Sequence, residues 1–267
     1  MLAQTRPTDT DAPLWCWQEG GVAHLRFNRP AALNAINLPM AQAFHAACRA
    51  LAADDSVRVV VLSGEGRAFM AGGDLPAMVA APTEVPASLI AEMHPALEIL
   101  ASLRAPVIAS VHGAVAGGGL GVALACDLVV AAEGTRFNLA YPLIGTSSDC
   151  GTSWGLVRWV GLRQALEIAL LAEPIDASQA LAMKLINRVV PSAELANHTA
   201  QLAQRLAQGA PLALGHLKQL MRRAGDNDLS EQLALEERLF RECAATQDFA
   251  EGMAAFLAKR PAKFVGR

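Results

Sequence analysis

The chain has no surplus of positive charge: 22 Lys and Arg stand against 25 Asp and Glu, a formal net charge of −3 over 267 residues. It therefore offers no basic field to nucleic acid, and only a local basic patch would be left to serve a phosphorylated ligand. An apolar leader is missing as well. Met1 to Pro13 is polar and reads as a short loose tail rather than an export signal. The cysteines, Cys16, Cys48, Cys126, Cys150 and Cys243, are odd in number and widely spread. Without an export signal they read as reduced thiols in a cytoplasm. No C-x-x-C and no H-x-x-x-H occurs and the six histidines are scattered, so no metal site is expected. A G-x-x-x-x-G-K-S/T loop is absent, which excludes a P-loop, and no glycine loop has the spacing of a dinucleotide fingerprint.

What is there is apolar. Hydrophobic residues make up 53% and charged residues 18%, the balance of a well-filled interior, and the length suits one domain with a small appendage. Ala105 to Cys126 holds His112 as its one polar ionisable group and superficially suits a membrane span. Gly113, Gly117, Gly118, Gly119 and Gly121 break it into strand, turn and helix, so no membrane segment is expected. Val22 to Phe27 alternates like a strand, Leu38 to Ala53 has helical spacing, and Val57 to Leu62 is again extended. The pattern repeats with a helix over Pro86 to Leu103, a strand over Pro106 to Val111, a helix over Gly118 to Ala125 and a strand over Leu128 to Ala131. Such alternation predicts an α/β core. After Pro191 only helices are expected, over Ala193 to Gln208, Leu212 to Arg223, Leu229 to Ala245 and Phe249 to Ala258. The division falls between residues 1–191 and a helical region, 192–267.

Two glycine loops stand out, Ala68 to Leu75 after the strand ending at Leu62, and His112 to Gly119 between a strand and a helix. The second exposes free N–H groups at a helix start, where negative charge is favoured, and glycine lets a ligand approach the backbone. With Asn28-Arg29-Pro30, Leu33-Asn34-Ala35 and Ala125-Cys126-Asp127, these loops resemble, in order and spacing, the motifs of the enoyl-CoA hydratase/isomerase (crotonase-like) superfamily. The resemblance runs from about Val22 to Phe264. It implies a spiral of ββα units with a C-terminal helical trimerisation region, a homotrimer or a hexamer of paired trimers, and an acyl-CoA thioester as substrate. Coenzyme A then enters as part of the substrate, with no separate cofactor.

Carried over residue by residue, the resemblance makes the N–H groups of Gly73 and Gly118 an oxyanion hole for the thioester carbonyl. Two preorganised donors stabilise the enolate formed when a neighbouring proton is removed, and losing one typically costs ~10²–10³ in rate. The hydratase pattern also needs two glutamates; Gly121 and Tyr141 occupy those positions. Asp149 stands where isomerases and the dehalogenase branch carry an aspartate facing the acyl group, and Glu251 to Arg260 resembles the phenylacetate-pathway isomerase branch, which acts on ring-epoxidised phenylacetyl-CoA and unsaturated acyl-CoAs. The expected activity is an isomerisation with Asp149 as sole base. Asp149 also suits a cap on the helix beginning near Gly151. Tyr141 is read as a donor to the substrate or as pocket lining, and Asp127 as structural. For coenzyme A the resemblance implies Arg29 near the phosphates, the backbone of Ala71 at the adenine, Asp74 beside it, and Phe256 with Lys259 from the C-terminal region. Glu84, Glu92 and His94 lie in the variable stretch that shapes the acyl pocket. Competing readings are hydratase-like turnover, dehalogenation with Asp149 as nucleophile, and acyl-CoA binding without turnover. A serine thioesterase is a further one, suggested by Gly151-Thr152-Ser153-Trp154-Gly155 with Asp176 and His198 following.

Overall fold

Gly20 and Gly21, at φ +55° and +80°, fold β1 (Leu14–Glu19) back on β2 (Val22–Phe27) as an antiparallel hairpin. The computed structural model describes residues 4–7 and 11–267; residues 1–3 and 8–10, part of the tail expected to be loose, lie outside the described residues. After β2, Asn37 caps α1 (Leu38–Ala52) by accepting a hydrogen bond from the Met40 N–H at 3.1 Å. Met40, Ala41, Phe44, Ala47, Cys48 and Leu51 form the buried face of that helix, at helical spacing. The chain continues through β3 (Val59–Gly64), α2 (Leu75–Ala80), α3 (Glu84–Ser102), β4 (Val107–Val111), β5 (Ala114–Ala116) and α4 (Gly118–Ala125). Next come β6 (Leu128–Ala132), β7 (Arg136–Asn138), α5 (Thr152–Leu171), β8 (Ile175–Asp176), α6 (Ala177–Ala182) and β9 (Arg188–Val190). Helices α7 (Leu195–Ala207), α8 (Pro211–Arg223), α9 (Leu229–Ala244) and α10 (Gln247–Leu257) complete it.

The main sheet runs β1-β2-β3-β4-β6-β9, parallel throughout except for the β1 edge, and β5-β7-β8 form a second, small sheet. Isolated parallel bridges join Met70 to Val115 and Ile36 to Gly73. After β2, β3, β4 and β6 the chain thus takes a second short extended step, at Ile36, at Met70 to Gly73, in β5 and in β7, before its next helix. That repeat is the ββα spiral.

Strand periodicity sorts the core into two layers. Leu25, Phe27, Leu62, Ala109 and Val111 face α1, α3 and α4, while Val59, Val61, Ile108 and Val130 face Leu195, Leu202 and Ala203 of α7. The last strand ends one residue before Pro191, yet the first helix beyond it covers the sheet's second face. Asp127 ties in another: its carboxylate accepts from the Val107 N–H at 2.8 Å and pairs with Lys218 at 2.8 Å and Arg222 at 2.6 Å, both on α8. At the C-terminus, Asp248 accepts from the N–H groups of Val265 and Gly266, and Arg58, just before β3, donates to the carbonyls of Ala207 and Phe264.

The expected helices and strands are present within a few residues. β3 begins at Val59, because the N–H of Val57 closes a turn onto Asp54, and α3 starts at Glu84 with Pro86 in its first turn. β1, α2, β5, β7, β8, α6 and β9 are additions to the sequence reading. Ala105 to Cys126 resolves into β4, β5 and α4, and among the described residues no helix is long and apolar enough to cross a membrane.

Candidate active site

Fully buried Asn34, in the left-handed region at φ +58°, staples two segments together. Its amide donates to the carbonyls of Glu65 and Ala68 at 2.9 and 2.8 Å, and its Oδ1 accepts from the Arg29 N–H. The loop leaving β3 is thereby laid against residues 29–36. The Ala71 N–H goes to Leu33, the Gly72 carbonyl accepts from Ile36, and the Asp74 N–H goes to Ile36. Between these bonds the Gly73 N–H has no partner among the described residues. On the second loop, Gly117 at φ +51° donates to Asn138, and Gly118 opens α4, so its N–H also lacks one. The two turns touch: a Cβ added to Gly72 would stand 3.2 Å from the Ala116 oxygen and 3.6 Å from the Gly117 Cα. Two unused N–H groups thus lie on adjoining turns, one at a helix start, an arrangement that can hold an oxyanion.

The carboxylate of Asp149 borders this place. Its Oδ1 lies 3.9 Å from where a Gly118 Cβ would be, with the Cys150 Sγ at 3.3 Å and the Ile36 Cδ1 at 3.1 Å. It does not cap α5. The N-cap is Gly151, without a side-chain bond, and it is the Asp149 main-chain carbonyl that accepts from the Thr152 N–H and hydroxyl. Cys150 at φ +51° and Gly151 at φ +67° reverse the chain between them and free the carboxyl to face Gly118. The phenol of Tyr141, buried in the turn after β7, donates to Asp149 Oδ1. Burial first, then the Asp149 charge and its hydrogen bond, push the Tyr141 pKa upward, so the phenol keeps its proton. Burial and then Asp149 likewise raise the Cys150 thiol, which stays neutral.

The position where hydratases carry their first glutamate is filled. A Cβ at Gly121 would lie 2.5 Å from the Cys150 carbonyl oxygen and 2.7 Å from the Thr152 hydroxyl. Of the variable acids, Glu92 is paired with His45 on α1 at 2.7 Å and Glu84 is exposed. His94 comes closer, its Nε2 accepting from the Cys150 N–H at 3.4 Å. The Met78 methyl, which stands where a Gly73 Cβ would go, and Thr152 were not singled out from sequence, because both depend on tertiary placement.

The residues expected around coenzyme A divide. Ala71 and Asp74 flank Gly73, and Arg29 reaches the same loop, but its guanidinium is already paired with Asp74 at 2.9 Å and donates to the Ala35 carbonyl. Asp74 also caps α2. Phe256 is 83% exposed, and among the described residues no hydrogen bond or ion pair ties it or Lys259 to the loops of the hole. The chain end beyond them is pinned to Arg58, just before β3, through the Phe264 carbonyl. The serine arrangement does not form: Ser153 lies in the first turn of α5 with no strand before it, Asp176 caps α6, and the ring of His198 meets Arg188 at 3.1 Å.

The sequence pattern of the enoyl-CoA hydratase/isomerase family matches residues 18–267. The 1,2-epoxyphenylacetyl-CoA isomerase of Escherichia coli is 37% identical over 253 residues, 93% of this chain and 97% of that protein. A protein of Rhodobacter capsulatus named "probable enoyl-CoA hydratase" is 40% identical over 247 residues, 92% of this chain and 95% of its own. Among solved structures, an enoyl-CoA hydratase from Polaromonas sp. JS666 superimposes with a TM-score of 0.88 at 34% identity, covering 94% of this chain and 99% of that one.

Proposed function

The chain belongs to the enoyl-CoA hydratase/isomerase family, and from that premise we propose that it is an acyl-CoA isomerase that moves a double bond with Asp149 as its one base. The observation that carries this reading is the Asp149 carboxylate beside Gly118, with Gly121 and Tyr141 at the two hydratase glutamate positions. In the proposed reaction the carboxylate takes a proton from the α-carbon of a 3-enoyl-CoA. The negative charge passes to the thioester oxygen, held by the N–H groups of Gly73 and Gly118, and the same carboxyl returns the proton at the γ-carbon. One mobile proton carrier suffices. Hydration, the activity in the name of the Rhodobacter capsulatus relative, needs further groups to hold and activate water; the Cys150 carbonyl and Thr152 hydroxyl fill the space beside Gly121 instead. A ring-epoxidised acyl-CoA is the second substrate class, after the name of the Escherichia coli relative.

Binding of the coenzyme A portion is assigned to the loop at Ala71 and Asp74 with Arg29, and to Phe256 and Lys259 of another copy of the chain. A homotrimer, alone or paired, is supported by the apolar surface of Leu170, Leu171, Phe240, Phe256 and Leu257, and light scattering counts the copies. The deciding experiment incubates the protein with 2-enoyl-, 3-enoyl- and ring-epoxidised phenylacetyl-CoA esters. Interconversion of the first two, without 3-hydroxyacyl-CoA, is the expected result. Asp149→Asn is expected to lower the rate by ~10²–10⁴ with acyl-CoA affinity nearly intact; an unchanged rate refutes the assignment.

A further inference from the structure

A carboxylate that must serve two carbon atoms in turn has to be held in one orientation, since an aspartate side chain otherwise rotates freely about its last bond. The groups that meet Asp149 are few. Thr152 grips its main-chain carbonyl, and His94 reaches the neighbouring N–H of Cys150. Beside the carboxylate lie the neutral Cys150 thiol, a weak donor, and the phenol of Tyr141, which donates to Oδ1. A phenol carries one proton to donate. Spent on Asp149, it is not available to the substrate.

We propose that Tyr141 is a positioning residue, whose phenol orients the Asp149 carboxylate before the α-proton is taken. The proposal rests on Asp149 being the base. Tyr141 is 8% exposed and its hydroxyl keeps its proton, so the donor stays in place while the carboxyl cycles between its two states. The geometry excludes a cation as the orienting group among the described residues, because no Lys or Arg pairs with Asp149.

Tyr141 is the only tyrosine in the chain, which permits a graded test on the intact protein. Tyr141→Phe keeps the ring and removes the donor. It is expected to lower kcat roughly 10- to 100-fold with KM unchanged. Growth on 3-fluorotyrosine changes that one phenol to a more acidic donor and is expected to change kcat with KM unchanged. Added to Asp149→Asn, Tyr141→Phe causes little further loss, since the phenol acts only through the carboxylate. If Asp149→Asn abolishes turnover while neither Tyr141→Phe nor fluorotyrosine changes kcat, the positioning role is wrong and the base assignment stands. A rise in KM at constant kcat assigns Tyr141 to pocket lining and also overturns the proposal. Full activity in Asp149→Asn removes the base reading itself.

Discussion

Cys48, Cys126 and Cys150 are buried and Cys16 is half-buried, all as free thiols. Burial pushes Cys16 and Cys48 from 9.0 up to about 12, and raises Cys126 and Cys150 too. A group whose pKa is raised by folding holds its proton in the native state where the unfolded chain has lost it. Its contribution is complete below the unfolded value near 9 and is lost as pH rises towards the folded one. Thermal stability is therefore expected to fall steadily from about pH 9 towards about pH 12, each thiol adding up to ~1.4 kcal/mol per pH unit. Melting curves across that range check this, and Cys48→Ala should flatten the slope; a level midpoint contradicts it. At this scale it was the family resemblance that singled out Gly73, Gly118 and Asp149; the fold sets the two glycines on adjoining turns and the aspartate beside them. The direction of the Asp149 carboxyl was not legible. It follows from Cys150 in the left-handed region, which no residue type at 150 announces, so capping of the following helix stood as a competing reading beside the favoured catalytic one.

The helices and long strands of the spiral declared themselves by their apolar spacing. Strands β5, β7, β8 and β9 have two or three residues each, too few for alternation to register. The β1–β2 hairpin carried a readable signal in Gly20-Gly21. Helix α6 ends in a Schellman motif, with the Leu185 N–H donating to Ala180 and the Lys184 N–H to Leu181. Lys184 fills the left-handed position at φ +65° and is exposed, so its side chain gains no packing for the strain it bears. Lys184→Gly is expected to stabilise the protein by about 1 kcal/mol, read as a higher denaturation midpoint at unchanged slope. A lower midpoint would mean that the lysine makes a contact in the assembled protein.

At the scale of the molecule, Asp127 joins the start of β4 to α8, and β4 leads through β5 to the turn carrying Gly118. Burial lowers the pKa of Lys218, and Asp127 is the main influence opposing it. Asp127→Asn leaves the buried ammonium without its counter-charge and is expected to cost ~3–5 kcal/mol. Denaturation should show that loss in a single transition, because β4 and α8 share the clamp; two separate transitions would show that it does not couple them. The break in sequence character at Pro191 tells only where strands stop. With α7 laid over Val59, Val61, Ile108 and Val130, a protease cutting there would release no self-sufficient core. The front piece would bare an oily sheet to water, and the back piece would be helices lacking the surface they were shaped to lie on.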